Sequence, residues 1–455
     1  MSDIEALMWA VEKDPYLDPT FGSVTLLDRP PDLDRLRRRL LRMVDRIPRL
    51  HQRVVPSFSR LAPPEWHDDV DFDIDHHLRR IGLPAPGTVR QLYDLAATIV
   101  HDPLDRTRPL WEFTVVGGVE GGRAALVQKM HHTVTDGEGG IRMSEQFIDA
   151  TREAPDVDEV VIHAEPGPPT PDLVHAVSDA VVDTWRRALG ITHRAAGGGA
   201  AAVAHPSRVV ALPGDVVELA RSALRQVAVT DRAHSPIWVE RSLERRLEVL
   251  DVPFDEAKRA AKGLGGSLND VFVTGVAGGA GRYHRELGAP VDWLRMAMPV
   301  STRADSSAGG NAFVPTRVLV PAGIEDPVER FRVTSAALTR TKHERVIGAV
   351  GPLAGVANLL PTSVLARVAR DQARTIDFTT SNVRAAPFEL FIAGARIDAT
   401  YALGPVSNTA FNLTMMSYRG SLDMGLHLDA GAVPEPARLR RALEESFAEL
   451  LAAGA

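Results

Sequence analysis

No cysteine occurs among the 455 residues, which excludes a disulfide framework, a cysteine nucleophile and a thiolate metal site while leaving the redox compartment open. A large excess of one charge is also missing. The net charge is −7 with 24% charged residues, which argues against general nucleic-acid binding. The N-terminus does not read as a secretory leader: Met1-Ser2-Asp3-Ile4-Glu5 is acidic, and Ser2 with Glu5 has the spacing of a capping box. An uninterrupted membrane span is lacking as well. Residues 346–366 carry no charge and are flanked by Arg340, Lys342, Arg345, Arg367 and Arg370, but Gly348, Pro352, Gly355 and Pro361 break the run. A buried helical hairpin is the first reading and a membrane-docking surface the second. No internal repeat is evident.

What is present fits an ordinary globular chain, 44% apolar and long enough for two domains. A helix is expected over residues 4–11 and a strand over 24–27. Leu33, Leu36, Leu40, Leu41, Val44 and Ile47 then recur at helical spacing, with Arg37, Arg38, Arg39 and Arg42 mostly opposite. That helix packs on a sheet, or else lies on an anionic membrane. Residues 70–75 alternate like an edge strand, with His76-His77 at the surface behind it, and 90–101 read as a helix. Another helix is expected from about residue 141 to 152. Composition shifts at residue 154, and two helical patterns, 173–190 and 214–229, surround the low-complexity run Gly197-Gly198-Gly199-Ala200-Ala201-Ala202. Beyond it come a strand over 241–250 and a helix over 254–262. Gly263-Leu264-Gly265-Gly266 ends that helix, and Ser267 is placed to cap the next one, with Asn269-Asp270 in its first turn. A helix start suits a developing oxyanion, although Asn and Asp are also ordinary first-turn residues.

The stretch of greatest chemical interest is His131-His132-Thr133-Val134-Thr135-Asp136-Gly137, after the strand-like Ala124-Ala125-Leu126-Val127-Gln128-Lys129-Met130. Alternation along a strand sends adjacent histidines to opposite faces, so one faces a given channel and the other is held in the fold. Histidine is the side chain best suited to take a proton from an alcohol near neutral pH. Asp136-Gly137 reads as a turn, with Glu138-Gly139-Gly140 leaving the backbone loose before the next helix. Metal binding by the pair is disfavoured, since the rings diverge and no third ligand has recognisable spacing. The plainer reading is two structural histidines at a strand end.

Three blocks, His-His-x-x-x-Asp-Gly at 131–137, Pro109-Leu110-Trp111-Glu112 and Ser267-Leu268-Asn269-Asp270, together resemble the bifunctional wax ester synthase/acyl-CoA:diacylglycerol acyltransferase family, a branch of the chloramphenicol acetyltransferase-like superfamily. Met298-Pro299-Val300-Ser301-Thr302-Arg303, Ser381-Asn382-Val383 and Leu413-Thr414-Met415-Met416 extend the resemblance over nearly the whole chain outside 154–235. Departures fall at Ser235-Pro236-Ile237-Trp238, Arg384-Ala385-Ala386 and Ser407-Asn408-Thr409-Ala410.

The resemblance implies an α/β fold of two chloramphenicol acetyltransferase-like domains, each a mixed sheet flanked by helices, with an active-site tunnel between them. Residues 1–153 form the half with the histidine motif, 154–235 a helical connector and 236–455 the half with the Asn-Asp pair. The implied activity moves a long-chain acyl group from acyl-CoA to diacylglycerol, a long-chain alcohol or both. In that scheme His132 is the general base and His131 scaffold. Asp136 and Gly137 hold the loop, with Asp136 paired to Arg303, or alternatively to Arg106 or Arg108. Asn269 and Asp270 supply oxyanion or loop support, and Pro109, Leu110 and Trp111 shape the channel. No cofactor or metal is implied beyond acyl-CoA as co-substrate. The expected location is cytoplasmic, including peripheral attachment at the inner membrane face or lipid droplets; oligomeric state stays open. Two alternatives stay open: a same-fold acyltransferase with another alcohol acceptor or a carrier-protein donor, and a weakly active lipid- or membrane-binding paralogue.

Overall fold

A computed structural model describes residues 1–56, 63–164, 234–301, 313–344 and 362–455. The expected helical patterns 173–190 and 214–229, residues 346–361 and Arg303 lie outside the described residues. In chain order the strands are β1 (Thr20–Leu27), β2 (Gln52–Val55), β3 (Glu65–Asp68), β4 (Leu78–Gly82), β5 (Trp111–Val119), β6 (Arg123–His131), β7 (Ile148–Asp149) and β8 (Arg245–Pro253). They continue with β9 (Trp293–Ser301), β10 (Phe313–Pro321), β11 (Phe378–Arg384), β12 (Phe391–Ile392), β13 (Ala395–Leu403), β14 (Phe411–Tyr418) and β15 (Ser421–Asp429).

Two large mixed sheets result, ordered β4-β5-β6-β1-β13-β12-β7 and β10-β9-β11-β14-β15-β8, beside the small β2-β3 ribbon. Strands β12 and β13 come from the second half of the chain but sit in the first sheet, where β13 pairs antiparallel with β1 (Val24 opposite Tyr401). The central strands of the first sheet are buried on both faces. In β6 the period-two alternation sends Ala124 and Leu126 into one core and Ala125 and Val127 into another, which is why its sequence is a near-continuous apolar run.

That second core also joins the halves. It gathers Leu92, Ala96 and Val100 of the helix Val89–His101, Tyr401 and Leu403 of β13, and Leu247 of β8. Arg90 ties the same helix to β8 by bonds to the Glu248 carboxylate (2.9 Å) and the Leu247 carbonyl (2.7 Å). Where β15 crosses β13, a Cβ on Gly425 would lie 2.1 Å from the Ala402 carbonyl oxygen, so only glycine lets the two backbones approach this closely. Gly425→Ala is therefore expected to lower stability by about 1–3 kcal/mol, read as a lower urea midpoint. An unchanged midpoint would mean that the crossing is not tight.

Several local expectations need correction. Residues 70–75 are not a strand. After a turn they enter the short helix Ile74–His77, because the Asp73 carboxylate caps it by accepting from Asp75 N (3.0 Å). His77 is not at the surface but 2% exposed, stacked between Phe72 and Trp111, with Nδ1 hydrogen-bonded to the Trp111 carbonyl (2.7 Å). The helix after the histidine motif spans Gly137–Ser144 rather than 141–152, since Asp136 caps it early and the chain then enters β7.

The arginine-rich helix Leu33–Arg46 is packed against protein. Leu36, Leu40 and Val44 are fully buried in the first-half core. Its basic face is covered by β7 and the acidic chain that follows it: Arg35 and Arg39 pair with Asp149 (3.0 and 2.8 Å), and Arg38 pairs with Asp156. Among the described residues, no helix is long and apolar enough to cross a membrane.

Candidate active site

Strand β6 ends at His131, and the two histidines part there. His131 is 1% exposed. Its Nδ1 accepts from the Thr133 backbone N–H (3.1 Å) and contacts the Thr133 hydroxyl (2.6 Å), which leaves the ring proton on Nε2 facing the Glu12 carboxylate (3.2 Å). Trp9 sits edge-on to the same ring, and Arg106 stacks on Trp9 while pairing with Glu12 (3.6 Å). Both ring nitrogens of His131 are thus engaged in holding the strand end to the first helix, Asp3–Val11.

His132 follows the strand and lies against the Phe21 ring, 4.6 Å between centroids. It keeps partial solvent contact. Burial of the ring pushes its pKa down to about 4, with the neighbouring His131 adding to the shift; Asp136 and a backbone hydrogen bond to Thr135 oppose it. The imidazole is therefore neutral at physiological pH. Asp136 is 7% exposed and its Oδ1 accepts from Gly139 N (2.8 Å), capping the helix Gly137–Ser144. The glycines read as a loose spacer form that helix's first turn instead, because the cap supplies the partner their amides need. Of the arginines weighed for Asp136, Arg106 engages Glu12 and Arg108 engages Asp105 (3.8 Å); Arg303 is outside the described residues.

Pro109, Leu110 and Trp111 are all buried in the first-half core. The Trp111 indole donates to the Leu50 carbonyl (2.8 Å), and the Leu110 carbonyl accepts from His131 N (3.1 Å). The block thus anchors the strand end through its backbone.

In the second half, Ser267 caps the helix Leu268–Glu286 in a reciprocal box. Asp270 Oδ2 accepts from Ser267 N and Oγ (both 2.7 Å), while Ser267 Oγ accepts from Asp270 N (3.3 Å). Asp270 is committed to the cap, whereas Asn269 is half-buried and its Oδ1 accepts from Nδ2 of Asn382 on β11 (3.4 Å). That bond turns the Asn269 amide so that its own N–H groups point away from Asn382.

Strand β11 touches an element next to each motif. The helix Gly137–Ser144 packs against it from the first half, and its Asn382 donates to Asn269. Strands β9 and β11 are in register only at Phe378–Met296 and Thr379–Ala297. Beyond these, β11 pairs with β14 and β9 with β10, so the sheet splays beside Asn382. Glu12, Phe21 and Asn382 were not singled out as site residues in the sequence. Asn382 lies in a recognised block, but Glu12 and Phe21 are 119 and 111 residues from the histidines they contact and carry no local signal. Among the described residues, no group of three or more His, Asp or Glu side chains is arranged to hold a metal ion.

Residues 1–272 match the wax ester synthase/diacylglycerol acyltransferase catalytic domain, and residues 309–451 match the C-terminal domain of the same family. A Mycobacterium tuberculosis (strain H37Rv) protein named as a diacylglycerol O-acyltransferase is 34% identical over 99% of this chain and 91% of its own length. A second protein of that strain with the same designation is 32% identical over 90% and 86%. The solved wax ester synthase/diacylglycerol acyltransferase from Marinobacter aquaeolei VT8 superposes with a TM-score of 0.64 at 20% identity, covering 96% of this chain and 95% of that one. The first condensation domain of the calcium-dependent antibiotic synthetase shares the fold at a TM-score of 0.61 and 16% identity, covering 100% and 95%. With its two mixed sheets of chloramphenicol acetyltransferase type, the chain belongs to the wax ester synthase/diacylglycerol acyltransferase family of acyltransferases.

Proposed function

We propose that this protein transfers a long-chain acyl group from acyl-CoA to the hydroxyl of diacylglycerol or a long-chain alcohol, with His132 as general base. The observation that carries the assignment is the division of labour at the end of β6: His131 has both nitrogens committed, while His132 is neutral and partly open to solvent.

The neutral imidazole of His132 removes the acceptor's hydroxyl proton as its oxygen bonds to the thioester carbonyl carbon. The tetrahedral oxyanion lies toward the Asn269 amide, whose N–H groups are free of the Asn382 bond. Collapse re-forms the carbonyl and breaks the carbon–sulfur bond. The proton held by His132 passes to the departing coenzyme A sulfur, so the base is regenerated and no covalent enzyme intermediate is needed. No resident cofactor enters this scheme, because the thioester is already activated.

The sign of the pH dependence follows from the lowered pKa. Protonation of His132 abolishes the base, so kcat/KM should hold down to about pH 5 and fall as pH drops through about 4, the value set by burial. An acidic limb at the ordinary histidine value of about 6.5, in protein still folded by near-UV circular dichroism, would remove His132 from the role.

The acceptor is tested by coenzyme A release from palmitoyl-CoA with diacylglycerol, hexadecanol or no acceptor. Acceptor-dependent release with matching ester formation is the expected result and ranks the two alcohols. Equal release without acceptor would make the protein a thioesterase toward this donor.

A further inference from the structure

The pairing of β1 with β6 ends at Thr20–His131, one residue short of His132. The His132 ring is therefore placed by packing and by the turn that follows it, not by a neighbour in the sheet. Phe21 stands beside that last pair, opposite Met130. Its ring centroid is 4.6 Å from that of the imidazole, with the planes tilted by 41°. That is contact distance for two flat rings.

Strand β1 cannot carry Phe21 away from this contact. Gly22 faces the other side of the sheet, where a Cβ would lie 2.6 Å from both the Gln128 carbonyl oxygen and Val100 Cγ2. The strand is thus pressed against β6 and the helix Val89–His101, with no space to move back from His132. On the near side, Phe21 Cε2 is 3.8 Å from where a Cβ on Gly140 would stand, so the same ring rests on the first turn of the helix Gly137–Ser144.

A phenyl ring offers no hydrogen bond in place of the water it displaces from the imidazole face. The groups that shift His132 otherwise are few. His131 beside it disfavours the imidazolium, while Asp136 and the backbone bond to Thr135 favour it. Glu12 and Arg106 face the His131 ring instead, and Arg142, the described charged side chain of the helix Gly137–Ser144, does not contribute. An aromatic face also attracts a cation, which works in the opposite direction. With the pKa down at about 4, exclusion of water outweighs that attraction.

We infer that Phe21 is a positioning residue for the proposed acyl transfer, fixing the His132 imidazole beyond the end of β6 and screening it from water. Its role in the reaction rests on His132 being the base; its effect on the imidazole is measured without turnover.

The test follows the titration of His132 in the full chain by NMR of labelled histidine. Its signal is identified among those of the 15 histidines by its loss in His132→Gln. In wild type it should titrate at about 4. In Phe21→Ala the midpoint should rise by about one pH unit or more, toward the ordinary value of about 6.5. Phe21→Leu keeps an apolar cover and should stay close to wild type. If the alanine variant does not fold, Phe21→Gln keeps much of the volume, brings a polar group to the ring and should raise the midpoint likewise. An unchanged midpoint in whichever of Phe21→Ala and Phe21→Gln folds would overturn the inference, as would an equal rise in Phe21→Leu. The acid limb of kcat/KM for coenzyme A release is then measured on the same variants. A limb that moves with the NMR midpoint supports both Phe21 as positioning residue and His132 as base. A midpoint that moves while the limb stays supports the screening by Phe21 and removes His132 from the base role.

Discussion

Replacing His132 with alanine should lower acceptor-dependent coenzyme A release by about a hundred- to ten-thousand-fold, the usual worth of a positioned general base. The fold should survive. His132 is the partly exposed member of the pair, and the strand end is secured by other groups: the Leu110 carbonyl on His131 N, Thr133 and Glu12 on the His131 ring, and the Asp136 cap behind. The variant should therefore keep its circular dichroism spectrum and a Tm within a few degrees of wild type. Both kcat and kcat/KM should fall together, because the missing interaction forms only as the proton moves. Turnover within tenfold of wild type would dismiss His132 as the base. Loss of folding would instead mean that its packing on Phe21 matters more than its chemistry.

The largest expected stability effect lies elsewhere, at Asp377. Its carboxylate is fully buried and accepts three backbone N–H bonds, from Arg295 (2.7 Å), Ser235 (2.8 Å) and His234 (3.2 Å). The Asp377 backbone adds bonds to the Arg295 carbonyl (2.8 Å) and from Ala410 N (2.9 Å). One residue thus knits the start of β11 to β9, to the segment that opens the second half and to the turn before β14. Asp377→Ala leaves the three side-chain-bound amides without their acceptor in a site closed to water. The expected cost is about 3–5 kcal/mol, the range for breaking a buried charged contact by removing one partner. It should appear as a large drop in the urea midpoint. Because β11 also carries Asn382, the same change should loosen the Asn269 contact and lower turnover in whatever protein remains folded. A midpoint shift worth less than about 1 kcal/mol would show that water replaces the carboxylate without strain.

The primary sequence determined the α/β class, the family and the positions of both motifs. Those rest on local signals: the apolar run before His131, the Ser267 cap, and short motifs whose spacing survives in one dimension. Local signals also misled where a side chain intervened. Asp73 turned an alternating stretch into a helix start, and Asp136 drew a glycine-rich spacer into a helix. His77 looked like a surface residue because nothing nearby in the chain shows that Trp111 and Phe72 close over it.

Only the tertiary structure shows what each histidine packs against. Alternation along β6 says that the two rings diverge, but the Glu12 and Phe21 contacts that distinguish them come from the N-terminal segment, more than a hundred residues away. The same holds for β13, a second-half strand that completes the first sheet, and for the Asn269–Asn382 bond that orients one motif from another block. Pairings of that kind depend on loop closure and on the packing of distant faces, and neither leaves a periodic trace in the sequence.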